Sequence, residues 1–224
     1  MKITADVIAH TALGLLDEVG LDGLTMRLVA AKLGVQAPAL YWHVKNKQRL
    51  LDAMADAMFA EAVDRLESPR LDEPWEDWLA AHARRIRAAM LRYRDGARVF
   101  AGTHIADPGM PRTVELTLRT LQDAGFSLVD AGRGVATVLH YTVGYTIEEQ
   151  ARQGTGYGDD NPYQPDRVAA VFDPERYPLA ARAATEVFFE ADGDAGFEHG
   201  LRLLLSGMGL ALDRGPRKAK RGRA

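Results

Sequence analysis

Apolar residues in this chain recur at three- and four-residue intervals from end to end, and nowhere do they alternate over the length of a strand. That period places them along one face of successive helices, so the pattern predicts an all-α protein. Thr4 caps a first helix whose Val7, Ile8, Ala12, Leu15, Leu16 and Val19 share a face, and Gly20 stops it. Thr25 caps a short second helix ended by Gly34. Pro38 opens a third, over Ala39–Val44, and Asn46 caps a long fourth that runs to about Leu66. After the break at Ser68-Pro69, helices are expected from Pro74 to about Leu91, around Ala97–Ala101, over Pro111–Ala124 and over Leu128–Gln153. The stretch Gly154–Pro178 is dense in Gly, Pro and Asp and reads as a long loop with one helical turn. Helices over Leu179–Glu190 and Ala195–Asp213 complete the pattern, which gives a small N-terminal bundle joined to a larger one.

Composition narrows the class. With 47% hydrophobic and 26% charged residues, 224 residues bury a core without staples, and there is no cysteine to supply one. That absence removes disulfides, a thiol nucleophile and a cysteine metal site. Met1–Asp6 lacks an apolar run and a cleavage motif, and no window reaches the length of a membrane span, so a soluble cytoplasmic protein without membrane contact is expected. The net charge of −3 argues against coating nucleic acid by bulk charge. Residues 214–224, in contrast, form a basic segment read as a disordered, solubilising tail.

The block Leu24–Lys47 carries the chemistry. A helix, a tight turn at Gly34 and a second short helix make a helix-turn-helix. Ala30 is small enough for the two helices to approach, Gly34 supplies a left-handed turn residue, and Val35 and Leu40 bury the inner face. Gln36, Ala37, Ala39, Tyr41, Trp42 and His43 are left on or near the outer side of a helix that could enter a major groove. Lys45 and Lys47 stand beside the free N–H groups that open the next helix, a place suited to a phosphate. Three rings in a row beside cations are poorly explained by packing alone.

The run T-M-R-L-V-A-A-K-L-G-V followed by P-A-L-Y-W-H-V-K-N-K resembles the tetracycline-repressor (TetR) family of one-component regulators. Further along, Arg94-Asp95-Gly96-Ala97-Arg98-Val99, Gly102-Thr103, Gly125-Phe126-Ser127-Leu128, His140-Tyr141-Thr142-Val143-Gly144 and Glu148-Glu149-Gln150 are similar to the ligand domain of the tetracycline repressors, in the same order. The resemblance implies a helix-turn-helix domain over residues 1–48, a ligand-binding and dimerisation domain over 49–213, and a homodimer that leaves a palindromic double-stranded operator when a small aromatic or polycyclic inducer binds. It implies DNA contacts from Thr25, Met26 and Arg27, from Gln36, Ala37, Pro38, Ala39, Tyr41, Trp42 and His43, and from Lys47. Members that read the tetracycline operator carry polar side chains where this chain has Ala37 and Ala39. Alanine offers a base edge only a methyl, so a different operator is expected, with Arg27 the candidate for a guanine.

The same resemblance implies a cavity lined by Val63, His82, Ile86, Phe100, Thr103, His104, Val114, Thr117, Leu118, Val135, Leu139 and Glu148. Tetracycline repressors hold a magnesium–drug chelate through a histidine, with a threonine and a glutamate working through water. Here Phe100 stands at the histidine position, while Thr103 and Glu148 are kept; Val63 and His82 replace two drug-contacting groups. No obligatory metal and no cofactor are therefore expected. Small residues Gly132, Gly134, Gly144, Gly200, Gly207 and Gly209 in two of the helices suit a four-helix interface between subunits.

Two other classes compete with a ligand-responsive repressor. An enzyme using the helical cavity would need a catalytic pattern, and no G-x-S-x-G, P-loop, H-E-x-x-H or paired carboxylates occur, so no catalytic residue is named. A ligand-independent DNA binder would not need a large second domain.

Overall fold

The computed structural model describes residues 2–153, 157, 160–188 and 193–214. No strand occurs among them, and no helix among them is long and apolar enough to cross a membrane. The helices are α1 (Ala5–Gly23), α2 (Met26–Lys32), α3 (Ala37–Tyr41), α4 (Lys47–Val63), α5 (Trp75–Leu91), α6 (Gly96–Phe100), α7 (Met110–Asp123), α8 (Leu128–Arg152), α9 (Pro165–Val171), α10 (Pro178–Ala183) and α11 (Gly193–Arg214). The basic tail beyond Arg214 lies outside the described residues.

Side-chain caps start the helices where the sequence places them. Thr4, Thr25 and Asn46 each accept the N–H three residues on, from Val7, Leu28 and Arg49. Four boundaries differ from expectation. Gly20, at φ 66°, kinks α1 rather than ending it, and one further turn follows. The third helix spans Ala37–Tyr41, opened by Pro38 in its first turn. α4 stops at Val63 because Arg85 of α5 takes its terminal carbonyls: the Arg85 guanidinium donates to the carbonyls of Ala62 and Asp64. Arg65 then turns left-handed, and Leu66 is buried in a second core. The helix expected over Leu179–Glu190 is α10 followed by a π-helical turn, Ala184–Phe188, with 189–190 outside the described residues.

Two apolar cores hold the chain together. The first packs Ile8, Leu16, Val29, Leu40, Leu50, Met54 and Met58 and continues into Ile86, Met90, Val99 and Phe100, so α1–α4 are joined without a gap to α5 and α6. The second packs Trp75, Trp78, Leu79, Leu121, Phe126, Val138, Phe197 and Leu201 between α5, α7, α8 and α11. Buried Arg87 ties three of these helices. It bonds both oxygens of Glu149 at 2.9 and 2.6 Å, reaches Asp194 at 2.6 Å and lies over the Phe197 ring. Part of the small-residue set serves this packing inside one chain. A Cβ at Gly134 would collide with Met208, and one at Gly200 with the Tyr141 hydroxyl. Gly132, Gly144 and Gly207 face open space instead.

Candidate functional site

The helix-turn-helix surface is assembled by α2, α3 and the turn between them. Gly34, at φ 69°, reverses the chain, and the Val35 N–H donates back to the Ala30 carbonyl at 3.0 Å. Leu40 and Val44 are buried on the inner side. Trp42 is 89% exposed and Tyr41 48%, an outward display that contributes nothing to the core. Gln36, Pro38, His43 and Arg27 are also exposed, while Ala37 and Ala39 are half-buried. Thr25 lies at the surface as a cap. Met26 is a correction: its side chain is only 8% exposed and belongs to the first core, so it offers DNA no side chain. Lys47, at the start of α4, donates to the Leu21 carbonyl at 3.3 Å.

That carbonyl belongs to a junction between the helix-turn-helix and the rest of the chain. The Leu21 N–H donates to Asp95 Oδ2 at 2.9 Å, and the Arg94 N–H donates to Asp17 Oδ1 at 3.1 Å. Arg98 bridges Asp22 and Asp95 at 3.2 and 3.3 Å, and its hydrogen bond holds the Asp22 carboxyl below the usual carboxylate range. Asp95 sits at the start of α6 and Phe100 ends it. Behind that helix, buried Gln150 of α8 accepts the Ala97 N–H and donates to the carbonyls of Met90 and Tyr93.

Phe100 opens onto a cavity. It holds about 620 Å³ of space not filled by protein atoms, part of it open to solvent. Of the residues named from sequence, His82, Ile86, Phe100, Val114, Thr117, Val135 and Leu139 line it together. Five others do not. Val63 is wedged between the two cores, and Leu118 packs on the second. Thr103 turns its hydroxyl to the Phe100 carbonyl at 2.8 Å. His104 and Glu148 are exposed and lie outside the lining. The walls also contain Phe59, Leu79, Ala83, Ile105, Met110, Thr113, Val138 and Thr142. Helical spacing could have found several: Leu79 precedes His82 by three, and Thr113 precedes Thr117 by four.

The segment between α6 and α7 is fastened to α4 by carboxylates. Asp56 Oδ1 accepts the N–H groups of Ala106 and Asp107 at 2.7 and 3.1 Å, and Asp52 Oδ1 accepts that of His104 at 3.4 Å. Inside the cavity, His82 is 7% exposed and its Nδ1 has no hydrogen-bond partner. Burial, reinforced by the charge of Arg85, lowers its pKa to about 4, so the imidazole is neutral at physiological pH. Its ring stacks on Trp78 with centroids 6.0 Å apart.

Comparison with known proteins matches both parts of the chain. The family described as bacterial regulatory proteins, tetR family, matches residues 8–54, and the tetracyclin repressor-like C-terminal domain matches residues 68–211. The class A tetracycline repressor protein from transposon 1721 of Escherichia coli is 45% identical over 211 residues, covering 92% of this chain and 91% of that one. The crystal structure of a possible TetR family transcriptional regulator from Streptomyces coelicolor A3(2) has a TM-score of 0.81 at 41% identity, covering 92% of this chain and 99% of that one. That of TetR (class A) in complex with 5a,6-anhydrotetracycline and magnesium has a TM-score of 0.68 at 38% identity, covering 93% and 99%.

Proposed function

This chain belongs to the tetR family of bacterial regulatory proteins, and on that premise we propose that it is a cytoplasmic, dimeric repressor of transcription, released from a palindromic operator when a small ring-containing molecule fills the cavity. It is a regulator and not an enzyme. The observation that carries the reading is the pairing of an outward Tyr41-Trp42-His43 surface with a cavity that shares one continuous core with it. Residues 1–48 are assigned to DNA. Arg27, Gln36, Ala37, Pro38, Ala39, Tyr41, Trp42 and His43 face base edges and sugar-phosphate, while Thr25, Lys47 and the Met26 main chain hold phosphates. Residues 49–213 are assigned to ligand and dimerisation. Exposed Leu128 and Val129 of α8 and Leu203 and Leu210 of α11, beside outward Gly132, Gly144 and Gly207, supply an apolar face for a second copy. Arg214 closes α11 and does not belong to the tail expected over 214–224; residues 215–224 are assigned to solubilisation.

Two helices carry the coupling. α4 runs from Lys47 to the cavity residue Phe59 and on to Val63, and α6 runs from the Asp95 junction to Phe100. A ligand that displaces Phe59, Phe100 or Ile105 shifts the separation of the two recognition helices of a dimer, which cannot then both occupy major grooves about 34–36 Å apart. Selection of duplexes from a random pool tests the reading, followed by release with ring compounds monitored by anisotropy. A near-palindromic consensus is expected; binding without sequence preference would overturn it.

A further inference from the structure

We propose that the cavity is built for an uncharged ring compound that brings no metal ion, with the His82 imidazole as its hydrogen-bonding anchor. The proposal deepens the reading of a ligand-released repressor and rests on it.

No lining residue carries a charge at neutral pH. Three threonines line the walls, yet each hydroxyl donates to its own helix: Thr113 to Gly109 at 3.0 Å, Thr117 to Thr113 at 2.7 Å and Thr142 to Val138 at 2.8 Å. With their protons so engaged, the threonines present an almost wholly apolar wall. A carboxylate, sulfonate or ammonium entering this space would lose its hydration and find no counter-charge.

A magnesium chelate fits no better. Magnesium takes hard oxygen donors in near-octahedral array, to which the tetracycline repressors add one imidazole. Phe100 stands where the family resemblance places a coordinating imidazole, Thr103 is bonded to the Phe100 carbonyl, and Glu148 is not among the residues that line the cavity. Among the described residues no group of three acidic or histidine side chains converges.

His82 supplies what the walls lack. Its ring lines the cavity and is held against Trp78, and its buried Nδ1 lacks a partner, so a ligand that packs against the ring can complete one directional bond there. A neutral imidazole has one donor and one acceptor nitrogen, and a ligand hydroxyl complements either. An orphaned buried nitrogen that gains a partner favours the hydroxylated ligand over its bare ring.

Calorimetric titration of the full-length protein, without DNA, tests this with four probes: 2-naphthol, naphthalene, naphthalene-2-sulfonate and doxycycline with excess magnesium. We expect 2-naphthol to bind about 3–10-fold more tightly than naphthalene. Naphthalene-2-sulfonate should bind more than about 100-fold more weakly. A chelator should leave 2-naphthol binding unchanged. His82→Phe and, as an independent replacement, His82→Leu should erase the preference for the hydroxyl while retaining naphthalene; His82→Gln should keep it. The proposal is overturned if the sulfonate or the magnesium complex binds best, or if the preference survives both apolar replacements. Failure of all four probes, in a protein that still selects an operator, overturns the ligand class and leaves the repressor intact. Loss of operator selection itself strikes the repressor reading instead.

Discussion

The carboxylate of Asp95 accepts the backbone N–H of Leu21 at 2.9 Å, so the residue that opens α6 is bonded directly to the last turn of α1. The Leu21 carbonyl in turn accepts Lys47 Nζ. A single residue, Leu21, thus stands between a carboxylate of the cavity-bearing part and an amine assigned to phosphate. Asp95 holds φ 59°, which Asn tolerates and Ala does not. Asp95→Ala should therefore destabilise the protein by about 1–3 kcal/mol and raise the ligand occupancy needed for operator release. Asp95→Asn, which retains an acceptor, should fall between it and the parent. Urea unfolding and paired ligand and operator titrations provide the measurement; release unchanged in Asp95→Ala would remove the junction from the switch.

Arg27 and Lys47 should fail differently. Arg27 is exposed at the first turn of α2, suited to a guanine edge. Arg27→Ala is expected to weaken specific binding by about 1–3 kcal/mol and to relax preference at one symmetric operator position. Lys47→Ala should weaken binding to all duplexes alike and lower the salt slope by about 1. Selected-site sequencing and salt titrations distinguish the two.

α4 is 17 residues long, about 25 Å at 1.5 Å per residue, shorter than the Asn46–Leu66 rod its sequence suggests. Ala57 lies buried near its middle, two residues before the cavity residue Phe59. Ala57→Gly costs about 1 kcal/mol of local helix stability and should soften the rod. Its ligand affinity should stay near the parent's while more bound ligand is needed to release DNA. Equal release at equal occupancy would make α4 a spacer.

His82 sets an acid limit. In the unfolded chain its pKa returns to about 6.5, while burial holds it at about 4 in the fold. Between those values the unfolded state binds the extra proton, so stability rises with pH across this window and is lost on acidification. From pH 7 to pH 5 the loss from this group is about 2 kcal/mol per protomer. His82→Gln should remove that part of the slope, as read from urea midpoints at both pH values.

Much of the architecture was legible because helix ends carry their own chemistry. Thr4, Thr25 and Asn46 cap where a hydroxyl or amide oxygen precedes an apolar run, and Gly34 turns at φ 69°, where a glycine is unstrained. The end of α4 was not legible, because Arg85, some twenty residues away in sequence, closes it. Met26 illustrates the same limit: a methionine between two surface residues gives no sign that its side chain turns inward. In the cavity, Thr113 and Thr142 carry no signal of their lining role, because a threonine bonded to its own helix follows the same spacing as core. The resemblance puts Glu148 at the cavity, but that side chain is exposed, and it is Glu149 that meets buried Arg87.

The carboxylates of Asp52, Asp56 and Asp95 all grip main-chain amides, those of His104, Ala106, Asp107 and Leu21. An amide hydrogen is common to every residue but proline, so these fastenings do not depend on which side chains the gripped positions bear. Ile105, enclosed between two such positions, faces the cavity and packs on the first core, while its own amide carries none of these fastenings. A side chain placed this way changes what a ligand meets without altering the main-chain fastenings on either side of it. Descendants of one ancestral switch could therefore answer to unlike molecules without reinventing the lever.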